Sequence, residues 1–186
     1  MTPPPDRKLL VLDLDETLVH ATEQALPHAA DFQVGPYLVY KRPHLAEFLA
    51  EALEMFDVGV WTSSGAKYAE QVVAHLFAPD VLKFVWASNR CSTARDWRTG
   101  EYHSVKPLAK LKRHGYALES ILAVDDTPFK HARNYGNLVT VREFNGDRAD
   151  TELRLLARYL RTLLPHANVR GIDKRGWRDA IGASVD

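Results

Sequence analysis

Short continuous apolar runs at residues 9–12, 58–61, 84–87, 121–124 and 138–141 predict strands buried on both faces of a sheet. Stretches of helical period lie between them. Leu45, Phe48, Leu49, Ala52, Leu53 and Phe56 make one apolar face, with Pro43 suited to the first turn. Ala69, Val72, Val73 and Leu76 make a second, which stops before Pro79. A short helix over 108–114 starts after Pro107 and closes at Gly115. Leu153, Leu156, Leu160 and Leu163 define a final amphipathic helix capped by Asp150. Residues 18–40 are polar and mixed until a strand-like stretch at 37–40, so they predict a small β insertion or flap. Residues 89–103 read as irregular, with a turn at Gly100, and 165–186 as a less regular tail that includes Trp177. Strands alternating with helices imply a single α/β domain over 1–186 with a mostly parallel sheet and a core of about residues 8–164.

Composition narrows the possibilities. The 186 residues carry 24 basic and 24 acidic side chains, a formal net charge of zero. That balance argues against a dedicated nucleic-acid coat or a membrane-surface protein. No run approaches the ~18 apolar residues of a membrane span. The first residues, Met1-Thr2-Pro3-Pro4-Pro5-Asp6, lack the charged and apolar regions of a signal peptide, so a cytoplasmic location is expected. One cysteine, Cys91, can form neither an internal disulfide nor a thiolate zinc cluster. A cysteine-dependent phosphatase would need an arginine six residues on to bind phosphate, and that position is Trp97.

The candidate chemistry lies at the strand ends, where open α/β sheets bind their ligands. Asp13 and Asp15 follow the first strand two residues apart and can face one pocket. Two carboxylates this close repel each other and call for a metal, a proton or a lysine. Asp125 and Asp126 supply more carboxylate at another strand end, and Lys106, just before a helix, supplies positive charge. Thr62 and Ser63, leading into a helix, can hold phosphate oxygens. A hard dication such as Mg²⁺ suits this oxygen-rich set, and the assembly suits phosphoryl transfer through an aspartate nucleophile. His20, His44 and His131 read as structural or surface groups, Arg42 as a loop anchor, and Lys110, Lys112 and Arg113 as a solvated helix face.

Asp13-Leu14-Asp15-Glu16-Thr17-Leu18-Val19-His20 resembles the first motif of the haloacid dehalogenase superfamily, and more narrowly of the phosphatases acting on the C-terminal domain of RNA polymerase II. Further matches are residues 41–49, Trp61-Thr62-Ser63-Ser64, Tyr68-Ala69 and Asp150-Thr151-Glu152-Leu153, so the likeness covers roughly residues 8–164. Residues 21–37 depart from the pattern. The resemblance implies a Rossmann-like sheet flanked by helices, with a short β flap where many relatives carry a separate cap domain. It implies Asp13 as nucleophile, Asp15 as general acid and base, Thr62, Ser63 and Lys106 as phosphate-binding groups, and Asp125 as a catalytic residue orienting water or Lys106. It implies Mg²⁺ held by Asp13, the backbone carbonyl of Asp15, and Asp126. The expected activity is a Mg²⁺-dependent, monomeric phosphatase acting through an aspartyl-phosphate. The open site implies a phosphoserine or phosphothreonine protein, or another phosphorylated macromolecule, as substrate. A small phosphate ester, transfer to an acceptor other than water, and a non-catalytic binding module of the same fold remain open.

Overall fold

The structure, a computed structural model, describes residues 7–97 and 99–182. Its centre is β1 (Leu9–Leu12), every residue of which is buried. β1 pairs in parallel with β5 (Asp57–Trp61) on one side and β9 (Ile121–Asp125) on the other, with Leu12 opposite both Val60 and Val124. β6 (Val85–Trp86) extends the sheet beyond β5, and β10 (Leu138–Thr140) extends it beyond β9. The strand order is therefore β10-β9-β1-β5-β6, all parallel, and the chain switches direction across the sheet at β1. A ligand crevice belongs at the carboxyl end of such a switch point.

Side-chain alternation along the buried strands makes two cores. Leu10, Leu12, Val58, Val60, Leu122 and Val124 face one side. There they meet α1 (Leu45–Met55), α2 (Ala66–Leu76) and α3 (Glu152–Leu163) through residues such as Phe48, Val72 and Leu156. Leu9, Val11, Trp61, Ile121 and Ala123 face the other side. That side is covered by Leu108, Leu111 and Tyr116, from or just after the short 3₁₀ helix over Leu108–His114, whose C-cap Gly115 has φ of 91°. Gly59 in β5 leaves the space that the Phe84 ring fills; a Cβ there would collide with it.

The flap is a three-stranded antiparallel sheet of β2 (Val19–Thr22), β3 (Phe32–Val34) and β4 (Tyr37–Lys41), with β4 in the middle. Residues 89–103 are not irregular throughout. Ser92–Arg95 (β7) and Tyr102–Val105 (β8) pair as a hairpin, with Gly100 at φ 76° in its turn. Ser, Thr, Ala and Arg in β7 give no apolar alternation, so backbone pairing forms a ladder that periodicity does not reveal. Pro43 precedes α1 rather than opening it, because His44 takes a left-handed cap conformation at φ 64°. The cap position of α3 is Thr151, although the Asp150 carboxylate still accepts from the Glu152 N–H at 2.8 Å. It also pairs with both Nε and Nη2 of the buried Arg42, at 3.0 and 2.8 Å, which ties the flap exit to α3. Beyond residue 164 the chain returns to the core. Val169, Trp177 and Ile181 are buried in it, and α4 (Trp177–Gly182) is anchored by Trp177 Nε1–H to Thr140 O at 2.9 Å and by Arg178 to Glu152. Among the described residues no helix is long and apolar enough to cross a membrane.

Candidate active site

β1, β5 and β9 end side by side, so Asp13, Thr62 and Asp125 meet at one edge of the sheet. Asp13 N–H donates to Val124 O at 3.0 Å, which locks the ends of β1 and β9 together. The chain then turns sharply: Leu18 and Val19 N–H both donate to Leu14 O, and Glu16 takes φ of 57°. That turn points Asp13 and Asp15 into different surroundings.

Asp13 is buried and sits between two lysines. Lys106 Nζ lies 2.8 Å from its Oδ1 and Lys130 Nζ 2.9 Å from its Oδ2. Lys106, itself 1% exposed, also reaches Asp125 Oδ2 at 2.6 Å. His131 Nε2 is 3.2 Å from the same oxygen, and the Thr127 N–H donates to Asp125 Oδ1 at 2.9 Å. Asp126 accepts from the Thr127 hydroxyl at 2.9 Å and from the Thr17 hydroxyl at 3.3 Å. Burial, and after it the Asp125 charge, push the Asp13 carboxyl above the usual carboxylate range, against the pull of Lys106 and Lys130. Burial acts on Asp125 in the same sense, but there Lys106, the His131 hydrogen bond and Lys130 prevail and hold it well below that range.

The surroundings of Asp15 contain hydroxyls in place of ammonium groups. Tyr68 OH donates to its Oδ1 at 2.5 Å, and Ser64 and Thr62 hydroxyls donate to Oδ2 at 2.6 and 3.4 Å. Burial and the adjacent Asp15 charge push the Tyr68 phenol above its ordinary value, so it stays a donor. Thr62 is 1% exposed, and its Oγ1 also accepts from the Ser64 N–H at 3.0 Å, which shapes the turn into α2. Ser63 Oγ is enclosed and finds no hydrogen-bond partner among the described residues. Asp15, Glu16, Ser64 and Tyr68, with Tyr37 from the flap, line an open cleft of about 370 Å³. The Tyr37 and Tyr68 rings meet edge to face, 5.9 Å apart.

A carboxylate oxygen from each of Asp13, Asp125 and Asp126 lies within 4.8 Å of the others. Three carboxylates face only two ammonium groups, and Asp13 Oδ1, though beside Lys106, is buried without a well-aligned hydrogen bond. Hard oxygen donors with surplus negative charge fit a divalent cation. Asp125 therefore joins the residues expected from the sequence, Asp13 and Asp126, while the Asp15 side chain points away toward α2. Sequence reasoning missed Lys130, Ser64 and Tyr68 as members of the site. A lysine two residues past Pro128 looks solvated. The signal that could have found it is the tight turn after an acidic strand end, which must fold back over that end.

An all-parallel α/β sheet with an acid-lysine cluster at its switch point defines a haloacid dehalogenase-type fold. A family model for NLI interacting factor-like phosphatases matches residues 8–170, and the chain belongs to that family. It is 34% identical over 157 residues to Phosphatase Herzog of Drosophila melanogaster, covering 81% of this chain and 42% of that one. It is 32% identical over 165 residues to the human carboxy-terminal domain RNA polymerase II polypeptide A small phosphatase 1, covering 85% and 60%. The chain thus spans about half the length of the curated relatives it matches. The fold is shared with Fcp1, an RNA polymerase II C-terminal-domain phosphatase, at 18% identity and a TM-score of 0.58, covering 95% of this chain and 62% of that one. It is shared too with a haloacid dehalogenase-like hydrolase from Xanthomonas campestris, at 12% identity and a TM-score of 0.56, covering 87% and 97%.

Proposed function

We propose that the chain is a Mg²⁺-dependent phosphatase that hydrolyses phosphate monoesters through an aspartyl-phosphate on Asp13, with phosphoserine or phosphothreonine protein as its substrate class. The observation that carries this reading is the contrast at the end of β1. Asp13 lies in a buried cluster of carboxylates and lysines, and Asp15, two residues on, lines the open cleft held by hydroxyls.

An oxygen of Asp13 attacks phosphorus, and the bond from phosphorus to the ester oxygen breaks. Asp15, in its protonated form at that step, gives the proton to the leaving oxygen, so an alcohol departs. Asp15, now a carboxylate, takes a proton from a water that attacks the aspartyl-phosphate and frees Asp13 and inorganic phosphate. Lys106 balances charge on the transferring group, while Thr62 and Ser63 offer hydroxyls to the phosphate oxygens. Asp13 and Asp126, with the backbone carbonyl of Asp15, would hold Mg²⁺, and Asp125 keeps Lys106 in place. When bound, the dication supplies Lewis-acid stabilisation of phosphoryl charge. The same cluster supports Asp125 as a further ligand.

The substrate class follows from access. The flap leaves the cleft open beside Tyr37 and Tyr68, which suits a peptide chain better than an enclosed metabolite. The names of the relatives above, phosphatases of a polymerase tail among them, support the same class. The test is phosphate release from an aryl phosphate with and without Mg²⁺, followed by catalytic efficiency on phosphopeptides and on a panel of phosphometabolites. Turnover that needs the metal and favours phosphopeptides is expected. Efficient turnover of one metabolite with none on peptides would overturn the substrate assignment, and no phosphate release at all would overturn the activity.

A further inference from the structure

Lys130 has no part in the reading above, yet it makes more ionic contacts with the acidic cluster than any other described side chain. Its ammonium lies 2.9 Å from Asp13 Oδ2, 3.5 Å from Asp125 Oδ1 and 3.8 Å from Asp126 Oδ1. Those are the three residues whose oxygens converge within 4.8 Å. Its side chain is 20% exposed, so it enters the cluster from the solvent side, whereas Lys106 is enclosed. The segment carrying it is a single 3₁₀ turn, Pro128–His131. Its backbone is fixed where Lys106 N–H donates to Lys130 O at 2.7 Å, but its side chain has four rotatable carbons with which to leave.

We infer that Lys130 is a resident cation that occupies the carboxylate cluster when no metal is bound, and that a divalent cation must displace it to bind. This rests on the metal-dependent reading above. An ammonium in contact with all three carboxylates and a dication bound to the same three would repel each other at a few ångströms. One of them must yield, and the solvent-facing lysine is the one with a way out. The displacement changes the nucleophile as well. With both lysines in place each Asp13 oxygen has an ammonium within 2.9 Å. Release of Lys130 takes the direct ammonium contact off Oδ2. Metal-free protein then holds its nucleophile restrained at both oxygens, and metal entry lifts one restraint.

The experiment is calorimetric titration of metal-free protein with Mg²⁺ and with Mn²⁺, comparing wild type, Lys130→Gln, Lys130→Arg and Lys110→Gln. Lys110 hydrogen-bonds Arg90 O and has no contact with the acids, so Lys110→Gln controls for net charge. Lys130→Gln should bind metal about tenfold more tightly, the effect of removing one charge-assisted hydrogen bond from the competing state. Lys130→Arg and Lys110→Gln should bind like wild type. Thermal unfolding gives a second readout. Lys130→Gln should be less stable than wild type without metal and should regain most of the difference at saturating metal. A third measurement reads the wild type directly. The side-chain ammonium signal of Lys130 in nitrogen-edited NMR, assigned by its loss in Lys130→Arg, should be protected from exchange without metal and lose protection on saturation. Equal metal affinity in wild type and Lys130→Gln, or an ammonium signal unmoved by metal, overturns the inference alone. Absence of metal binding in every protein overturns the metal-dependent reading and the inference with it.

Discussion

Asp13 and Asp15 leave one strand two residues apart and enter opposite environments. Asp13 is buried among charges: two lysines, two more carboxylates and a histidine one contact removed. Asp15 is held by neutral hydroxyls of Tyr68, Ser64 and Thr62 at the wall of an open cleft. A charge-paired acid and a hydroxyl-held acid answer differently to substitution. On the first side a lost partner strands a buried charge, which threatens the fold. On the second it removes a hydrogen bond, which threatens geometry and leaves the fold alone. The proposed division between nucleophile and acid-base group maps onto that division of surroundings.

The sharpest way to break the comparison is to neutralise each acid. Asp13→Asn should lower kcat by at least about a thousandfold, because it removes the attacking oxygen. Asp15→Asn should also silence turnover but keep phosphopeptide binding close to wild type. Steady-state rates and a binding titration on the same peptide separate the two, and a substantial rate in Asp13→Asn would refute the nucleophile assignment. Next in size is Lys106→Met. Stranding Asp13 and Asp125 beside one lysine should cost about 3–5 kcal/mol in urea unfolding, as for other broken buried ion pairs. Adding Asp125→Asn should recover part of that loss.

Tyr68→Phe probes the opposite side. It should lower kcat about tenfold, the worth of one hydrogen bond to a charged group, while unfolding stability stays within about 1 kcal/mol of wild type. Equal damage to stability in Tyr68→Phe and Lys106→Met would erase the contrast.

A smaller effect comes from Glu16, between the two environments. Burial, then the charges of Asp15, Asp126 and Asp13, raise its carboxyl to about 7. A raised acid keeps its proton in the folded state after the unfolded chain has lost it. Metal-free protein should therefore lose stability as pH rises from 4.5, the ordinary glutamate value, to about 7, and Glu16→Gln should flatten that slope. The smallest effect lies away from the site. Burial works against the Asp150 charge, but the Arg42 guanidinium and the Glu152 N–H hold its carboxyl below the usual range. That stability is present above the ordinary carboxylate range and is lost as pH falls through the lowered value, so Asp150→Asn should lessen the acid sensitivity of unfolding.

The central sheet was legible because burial on both faces leaves an unbroken apolar run, as in Leu9–Leu12, and few other elements look like that. The helices were legible because α1 and α3 each bury one stripe. The hairpin of β7 and β8 was not, since its strands are polar and its pairing lies in the backbone. Asp13, Thr62 and Asp125 could be named because the ends of parallel strands converge by topology, and Lys106, which follows the antiparallel β8, because it stands just before a helix and matches the resembled pattern. Lys130 and Ser64 could not, because each meets the acids only through the local path of a turn, and no period in the sequence encodes that path. Tyr68 stood in a recognisable motif, but its bond to Asp15 depends on how α2 is seated.

One backbone hydrogen bond has a wider consequence. Lys106 N–H to Lys130 O joins the base of the β7–β8 hairpin to the turn that follows β9. Ser92 pairs with Val105 at the same base, and the ladder runs outward from there to Arg95 and Tyr102. The hairpin also leans on that turn through the His103 ring, which meets the Phe129 ring edge to face at 5.0 Å, one residue from Lys130. A disturbance of the hairpin therefore reaches the acid cluster by two routes, the Lys106–Lys130 backbone bond and that ring contact, so the hairpin works as a brace behind both lysines.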